Sequence, residues 1–537
     1  MKQLFFSIIV CVLLCFFNFS AISQPYSTNV QGSITPSVSA MSYGKYADSP
    51  IDPATGTMGA SIPLYNLSDG TLSHAVSLSY HTGGIRVSEL SSEVGLGWHL
   101  NTGGVISRTV RGLPDDHEDG YWNKAQNIST DSTGIGDIAD GDIDGEPDLF
   151  FYNIGGMIGK FIIDENQNIH TIPKSDIKIE IYHQGAPNLY QGFLGFKVTT
   201  PDGTLYYFGY YPGGGGHAPG GAGVTALQSL SVPGTDTHYD TWFLNRIESF
   251  DFKHKIDFEY ANSFYRYKVN EECFITKYWL NGSQTGTDNC DGDQFFVTVF
   301  GRVLDKITTT TEEITFTHAT RDDLEDHNNT NLPKRITRVN VNNGNYCFYY
   351  DLSQSYFTSN TGSGNLDKRL KLNSVQKKSC DNSINEEPFT FSYYGGSFFP
   401  SLTSKAVDHW GYYNGKTTNN SLDDLIPASS VVTPANNKTL YYGSADRETV
   451  ESAMLNGALK RITFPTKGYT EYSYEANEYL ETNNNNQQLF WAETCTSYGG
   501  YCCGNRSNTK YQVLDQAMID NGVLELVVQH DGQNINC

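Results

Sequence analysis

The sequence predicts an all-β protein: many antiparallel hairpins in extended or curved sheets, as shell, sandwich or barrel segments, with few short helices. Three observations carry this. The chain holds 35 Tyr and 29 Phe against 6 Met, and aromatic side chains suit the pleated, half-buried surface of a strand. Its 52 Gly recur at short intervals, often in Gly-Gly, Asp-Gly or Asn-Gly pairs, which supply the positive φ that tight hairpin turns need. Between these turns apolar and polar residues alternate with a period of two, the mark of a strand with one buried face.

The chain opens with Lys2, an apolar run from Leu4 to Phe17, then Ala21-Ile22-Ser23 ahead of Gln24. That is the pattern of a Sec signal peptide over residues 1–23. The run is too short to span a membrane comfortably, and Cys11 and Cys15 do not follow the small residue a lipoprotein signal needs. The expected product is exported, to the medium, the cell surface or the periplasm, with no transmembrane segment in the mature chain. Residues 24–45, rich in Ser, Thr, Pro and Gly, read as an extended N-terminal segment.

A β domain is expected over 46–240. Asp52-Pro53 and Gly56 turn the chain into a strand at 62–67. Val76, Leu78 and Tyr80 alternate with Ser77 and Ser79. Gly83-Gly84 breaks the run and Ile85 and Val87 resume it, so a hairpin is expected there. Gly95-Leu96-Gly97-Trp98 follows, two glycines leaving room for backbone to approach a large buried ring. Gly103-Gly104 turns the chain into a strand over 105–110. Further on, Gly155-Gly156 and Pro201-Asp202-Gly203 each divide two apolar strands. The Gly run at 213–216 lacks the Gly-Lys-Ser/Thr of a phosphate loop and reads as a surface loop.

Residues 131–148 form the most acidic run. Asp137, Asp140, Asp142, Asp144, Glu146 and Asp148 are carboxylates spaced by Gly, and alternate Asp residues of a loop can converge oxygen ligands on Ca²⁺. Counting from Asp140, the twelfth position is Phe151, where an EF-hand needs a bidentate Glu. The alternatives are therefore a structural Ca²⁺ loop and a solvated acidic turn; no other cofactor is expected.

From 241 to 480 a hairpin-repeat β domain is expected. A Leu, a polar residue, Arg or Lys, and Ile or Leu recur, each followed after a turn by an aromatic strand. The copies start at Leu244, Leu304, Leu332, Leu366 and Leu459 and are answered by Phe258, Ile314, Phe348, Phe391 and Tyr472. Their spacing is irregular, so each copy reads as a hairpin stacked beside the next in one long sheet. The basic residue of each copy is expected on a solvated strand face. Between the fourth and fifth copies stands Asp408-His409-Trp410-Gly411-Tyr412-Tyr413-Asn414-Gly415. An acid beside a histidine suggests an oriented base, but neighbours on a strand face opposite ways, so aromatic packing at a surface turn competes with it. Helices are expected at 446–456, stopped by Gly457, and at 512–520.

The net charge of −23, from 36 basic and 59 acidic residues, argues against nucleic acid or anionic lipid as a partner. Eight cysteines follow the signal region, an even number that suggests disulfides in an exported chain. Cys273 with Cys290 would close a local loop. Cys495, Cys502, Cys503 and Cys537, in a C-terminal segment over 481–537, lack a CxxC pair or a nearby His, so pairing is preferred there over zinc.

The stretch SLSYHTGGIRVSELSSEVGLGWHLNTGGVISRTVRGLPDD resembles the N-terminal region of secreted bacterial RHS/YD-repeat proteins. That region is similar to the β-rich N-terminal part of the B component of insecticidal toxin complexes. Tyr80, Gly84, Gly95, Gly97, Trp98, Leu100, Gly103, Gly104 and Arg111 carry the likeness. EPDLFFYNIGGMIGKFIID, TPDGTLYYFG and DHWGYYNG extend it, as do the lead-in from Asp52 to Tyr65 and the stretch Leu459–Gly468. The resemblance covers 46 to about 480 and implies the leading part of a hollow β shell. The Tyr-Asp repeats, core segment and toxin of such proteins do not appear in this chain, and no autoproteolytic residue can be carried over. The expectation is a non-enzymatic structural module for assembly, encapsulation or presentation, with a downstream shell or toxin part as partner. Two other classes stand beside it. A surface adhesin would stack glycans on Trp98, Trp410, Tyr412 and Tyr413, provided these face solvent. A polysaccharide hydrolase would need paired carboxylates, and the sequence singles out no pair.

Overall fold

The computed structural model describes residues 57–125, 132–139, 142–183, 192–210, 227–231 and most of 237–476, with short strands at 491–493 and 509–511. The expected signal peptide, the 24–45 segment, the expected turn at 52–56, the 213–216 run, the four tail cysteines and the helix expected at 512–520 lie outside these residues. The all-β class holds.

Strands β1 (Met58–Asp69), β2 (Leu72–Thr82) and β3 (Trp98–Asn101) form a small antiparallel sheet in that order. Eighteen further strands share one hydrogen-bonded network that closes on itself. Its first part comprises β4 (Val105–Thr109), β5 (Leu149–Ile154), β6 (Met157–Ile163), β7 (Ile169–Ile172), β8 (Lys178–His183), β9 (Phe193–Thr199), β10 (Leu205–Gly209) and β11 (Leu227–Ser231). The next strand, β12 (His238–Glu248), is the spine. Thr241–Phe243 pair with β4, while Leu244–Glu248 pair with β10. Two arms therefore leave β12: β4 to β7, and β10, β9, β8. They face each other across Phe150, Phe161, Phe196 and Trp242, all fully buried, with Phe150 and Phe161 stacked at 4.8 Å and Phe196 edge-on to Trp242 at 4.9 Å. Aromatic pairs at such spacings add to the burial that holds two sheets face to face.

The chain continues through β13 (Lys255–Lys268), β14 (Cys273–Leu280), β15 (Ser283–Cys290), β16 (Phe296–Thr308), β17 (Glu313–Thr320), β18 (Lys334–Asn342), β19 (Cys347–Thr358) and β20 (Lys368–Ser379). It ends its regular part with β21 (Phe389–Tyr393), β22 (Ser429–Thr433), β23 (Lys438–Tyr442), β24 (Leu459–Thr463) and β25 (Tyr469–Glu471). β14–β15 and β22–β23 stand apart as two-stranded hairpins. The others lie side by side in chain order from β12 to β25, and β11 closes back on β16. The five repeat copies are thus the successive hairpins of one sheet. Their basic residues pair across strands, as in Arg246–Asp257 and Lys306–Glu259, the sheet form of charge complementarity. Arg369 departs from the expected solvated face, being 1 % exposed.

The reason lies in the segment after Gly83-Gly84, where the expected hairpin does not form. Ile85 and Val87 are buried one by one, but the backbone from Arg86 to Gly97 is an irregular crossing, not a strand. It is pinned where β18 and β19 part beyond Arg338 and Asp351. Glu93 O accepts from Ile336 N at 2.9 Å, and Leu96 N donates to Leu370 O at 2.8 Å. Arg369 donates to the carbonyls of Glu89 and Val87, both at 3.0 Å. Arg321 donates to those of Ser92 and Ser91, at 2.9 and 3.0 Å. A buried irregular backbone needs such donors because each unmet carbonyl there is costly.

Trp98 ends this crossing and is fully buried. Its Nε1 donates to Tyr393 Oη at 2.9 Å, and its ring lies 4.5 Å from Phe391 and 5.3 Å from Tyr80. Tyr80 Oη in turn accepts from Leu459 N at 2.9 Å. The small sheet is thereby fastened to the last repeat hairpins, and burying such a ring contributes about 4–6 kcal/mol. Gly97, at φ +73°, leaves the space: a Cβ there would stand 2.5 Å from the Tyr80 ring.

Three short α-helices occur among the described residues: α1 (Tyr121–Lys124), α2 (Ser132–Ala139) and α3 (Glu451–Met454). The helix expected at 446–456 shrinks to α3. The carbonyls of Asp446 and Glu448, which would have accepted helical amides, accept instead from Asn414 Nδ2, and Asn419 Nδ2 also donates to Asp446 O. Gly457 ends the turn at φ +81° as expected. A disulfide joins Cys347, at the start of β19, to Cys380, just after β20. Cys273 and Cys290 are register partners at the open end of the β14–β15 hairpin.

Candidate functional sites

The acidic run does not stay together. Residues 132–139 are α2 rather than loop, closed at the C-terminal end by the amides of Asp142 and Ile143, which donate to Asp137 O at 2.9 and 3.2 Å. Asp137 is half-buried in that helix, Asp142 is exposed, and Asp140 lies outside the described residues. Glu146 is exposed and pairs with Arg111 at 2.7 Å. Asp144 and Asp148 turn inward, 4 % and 0 % exposed. Among the described residues no set of three His, Cys, Asp or Glu side chains is placed to hold a metal ion.

What Asp144 and Asp148 join is a buried ionic cluster at the base of the excursion between β4 and β5. Arg108, from β4, is fully buried, its guanidinium 5.5 Å from the Trp242 ring centre. Its Nη1 donates to Asp116 Oδ1 at 2.6 Å and to Asp148 Oδ2 at 3.4 Å. Asp116 Oδ2 also accepts from Phe193 N at 3.0 Å. Asp115 and Asp148 brace one another reciprocally: Asp115 N donates to Asp148 Oδ2, and Asp148 N to Asp115 Oδ1, each at 2.9 Å. Arg111 N adds a bond to Asp148 Oδ1 at 2.9 Å. Gly112, at φ +75°, admits Asp144, whose Oδ1 would stand 2.6 Å from any Cβ there.

The cluster is rich in acid and short of donors. Asp115 Oδ2, Asp144 Oδ2, Arg108 Nε and Arg108 Nη2 are buried without a hydrogen-bond partner. Burial pushes the Asp144 carboxyl up to about 8, with the Asp148 and Glu146 charges adding to it and the Glu146 and Tyr121 amides opposing it. Burial first and the Asp148 charge second push Asp115 well above the usual carboxylate range. Asp148 is raised too, by burial, although Arg108 and two backbone amides oppose it. Sequence reasoning reached Asp144 and Asp148 but not Arg108, Asp115 or Asp116. Both halves, RGLPDD and EPD, lie in the stretches that carry the family resemblance, which was the available signal.

The second candidate surface is the 408–415 segment. Asp408 is buried and accepts from Trp410 N, Tyr412 N and Thr449 Oγ1, each at 2.9 Å. It braces its own turn rather than orienting His409, whose ring lies edge-on to Trp410. Trp410 is 49 % exposed. Tyr412 and Tyr413 are half-buried, Tyr412 donating to Gly83 O at 3.1 Å and Tyr413 leaning on Phe398. Trp98 cannot serve as a sugar platform because the core encloses it. Trp410 is the most exposed of the four aromatics, with about half its surface in solvent.

No family model matches the chain, and no curated protein matches it in sequence. A solved structure that is distantly similar is the N-terminal domain of the effector protein SpvB from Salmonella typhimurium strain LT2. It is 13 % identical, covers 60 % of this chain and 98 % of its own, and superposes at a TM-score of 0.27.

Proposed function

We propose that the chain is an exported, non-enzymatic structural module that acts as the leading part of an RHS/YD-type shell, in assembly, encapsulation or presentation. The observation that carries this reading is where the resembling residues lie. Tyr80, Gly97 and Trp98 form the joint between the small sheet and the last hairpins of the long one. Residues whose work is to fasten a sheet belong to a scaffold. The acids that gather, Asp115, Asp116, Asp144 and Asp148, are buried, whereas the carboxylate pair of a hydrolase must flank a bound sugar, which favours a scaffold. The partner on this reading is a shell or toxin part encoded immediately downstream. The test is to co-express the full chain with that reading frame and measure the mass of the exported product in its native state. Co-migration at a fixed ratio is expected; a lone product of the mature mass would overturn it.

A second reading, a glycan-binding surface, is favoured by one observation, the half-exposed Trp410 with His409 edge-on to it. Binding to a glycan array that vanishes in Trp410→Ala would support it.

A further inference from the structure

The turns that follow β12, β16, β18, β20 and β24 all fall at one end of the long sheet. Asp257 pairs with Thr308, Glu313 with Asn342, Phe348 with Ser379 and Thr390 with Thr463, so these turns stand in a row. At the strand spacing of a sheet the rim they form runs about 43 Å from β12 to β25. Thirteen large apolar side chains are exposed among the described residues, and six of them are on this rim. Phe250 and Phe252 follow β12, Tyr346 precedes β19, Ile384 precedes β21, and Phe464 and Tyr469 flank the last turn. Five are 60 % to 69 % exposed and Phe464 is 36 % exposed.

Exposed turn tips are ordinarily mobile, yet these are braced from below. Asp251 accepts from Ser249 Oγ at 2.6 Å, and His254 meets Asp69 at the tip of the β1–β2 hairpin. Asn343 Oδ1 accepts from Tyr346 N at 2.8 Å, and the Cys347–Cys380 disulfide ties the turn of Tyr346 to that of Ile384. Phe464 lies edge-on to Phe389. Phe252 is held at φ +59°, which strains a bulky residue and which Gly or Asn would adopt more easily. A strained ring left in water points to a contact made outside the fold.

Charge and area constrain what fits. The chain carries a net charge of −23, so two copies repel over most of their surface. On the rim Lys253 meets Asp251, Lys377 meets Glu386 and Lys467 meets Glu387, leaving little net charge between the apolar side chains. A fully exposed aromatic side chain offers about 150–250 Å², so at these exposures the six present roughly 700 Å² per copy. A stable interface takes about 800 Å² from each partner, and a second rim supplies the matching surface. We propose that the chain pairs with a second copy of itself through this rim, rim against rim about a two-fold axis, the same side chains serving both sides. The pairing stands apart from the shell reading and needs no second gene product.

Sedimentation of the exported product over a dilution series tests this. A dimer is expected that dissociates on dilution. Phe252→Asn removes the ring and relieves the backbone. It is expected to leave the urea unfolding midpoint of the diluted monomer unchanged or raised, while weakening association at least about tenfold. Tyr346→Ser is expected to weaken association to a like degree and serves if the first variant fails to fold. A product that is monomeric at every concentration would overturn the proposal. So would a dimer that both variants leave intact, since its contact then lies elsewhere. A monomer that floats with phosphatidylcholine vesicles, and no longer does so in Phe252→Asn, would also overturn it, assigning the rim to a lipid surface.

Discussion

Two buried ionic groups, built from the same residue types, are satisfied to very different degrees. Around Arg321 the books balance. Nε and Nη2 meet the two oxygens of Asp323 at 2.8 Å, Nη1 and Nη2 meet the carbonyls of Ser92 and Ser91, and Asp323 Oδ2 also accepts Leu370 N at 2.8 Å. Burial alone would raise Asp323, but the guanidinium and that amide hold it below its ordinary value. Around Arg108 the same chemistry is lopsided: acids outnumber cations, oxygens and nitrogens go unmet, and the carboxyls are pushed up instead. A saturated cluster pins a chain permanently. A cluster short of donors holds carboxyls that burial has raised, so its strength depends on pH.

Two substitutions separate these behaviours most sharply. Arg321→Met strands a buried Asp323 and two carbonyls and is expected to cost about 3–5 kcal/mol at pH 9 and less at pH 5, where burial lets the unpaired Asp323 take up a proton, as read from urea unfolding. Arg108→Met, which strands Asp116 and Asp148, is expected to cost less, about 1–3 kcal/mol at pH 9, and to shrink further at pH 5, where Asp148, raised to about 7, needs no cation. A cost for Arg108→Met as large as that for Arg321→Met would erase the distinction. Next in size is Gly97→Ala, in the pinned crossing. It forces a side chain onto positive φ and against Tyr80, for an expected loss of about 1–3 kcal/mol. A neutral result would mean that the crossing yields more easily than its hydrogen bonds imply.

The same contrast explains what was legible in the sequence. Period-two alternation and Gly turns located β5–β6, β9–β10 and the five repeat hairpins, because those elements depend on neighbours in sequence. Ile85 and Val87 misled: their alternation is that of a strand, but the carbonyls of Val87, Glu89, Ser91 and Ser92 are met by Arg369 and Arg321, more than two hundred residues away. The helix at 446–456 failed the same way, its carbonyls drawn off by Asn414 and Asn419. The acid run 137–148 was visible as composition, yet its division into solvated and buried members is set by Gly112, Arg108 and Asp115, which no local pattern marks. Cys347 and Cys380 stand 33 residues apart and are brought together only by the register of β19 with β20.

Trp410 lies outside both clusters and supplies the smallest stability effect and the cleanest functional one. Half its surface is already in water, and what braces its turn is Asp408, which bonds the backbone of residues 410 and 412 rather than the indole. Trp410→Ala is therefore expected to change unfolding free energy by no more than about 0.5 kcal/mol, whereas Asp408→Ala, which frees those amides and Thr449, is expected to cost about 1–3 kcal/mol. If Trp410→Ala alone abolishes glycan binding while its unfolding curve overlays the wild type, the face is a recognition surface. If both variants destabilise alike, the indole is part of the turn's packing, and the exposed face carries no separate function.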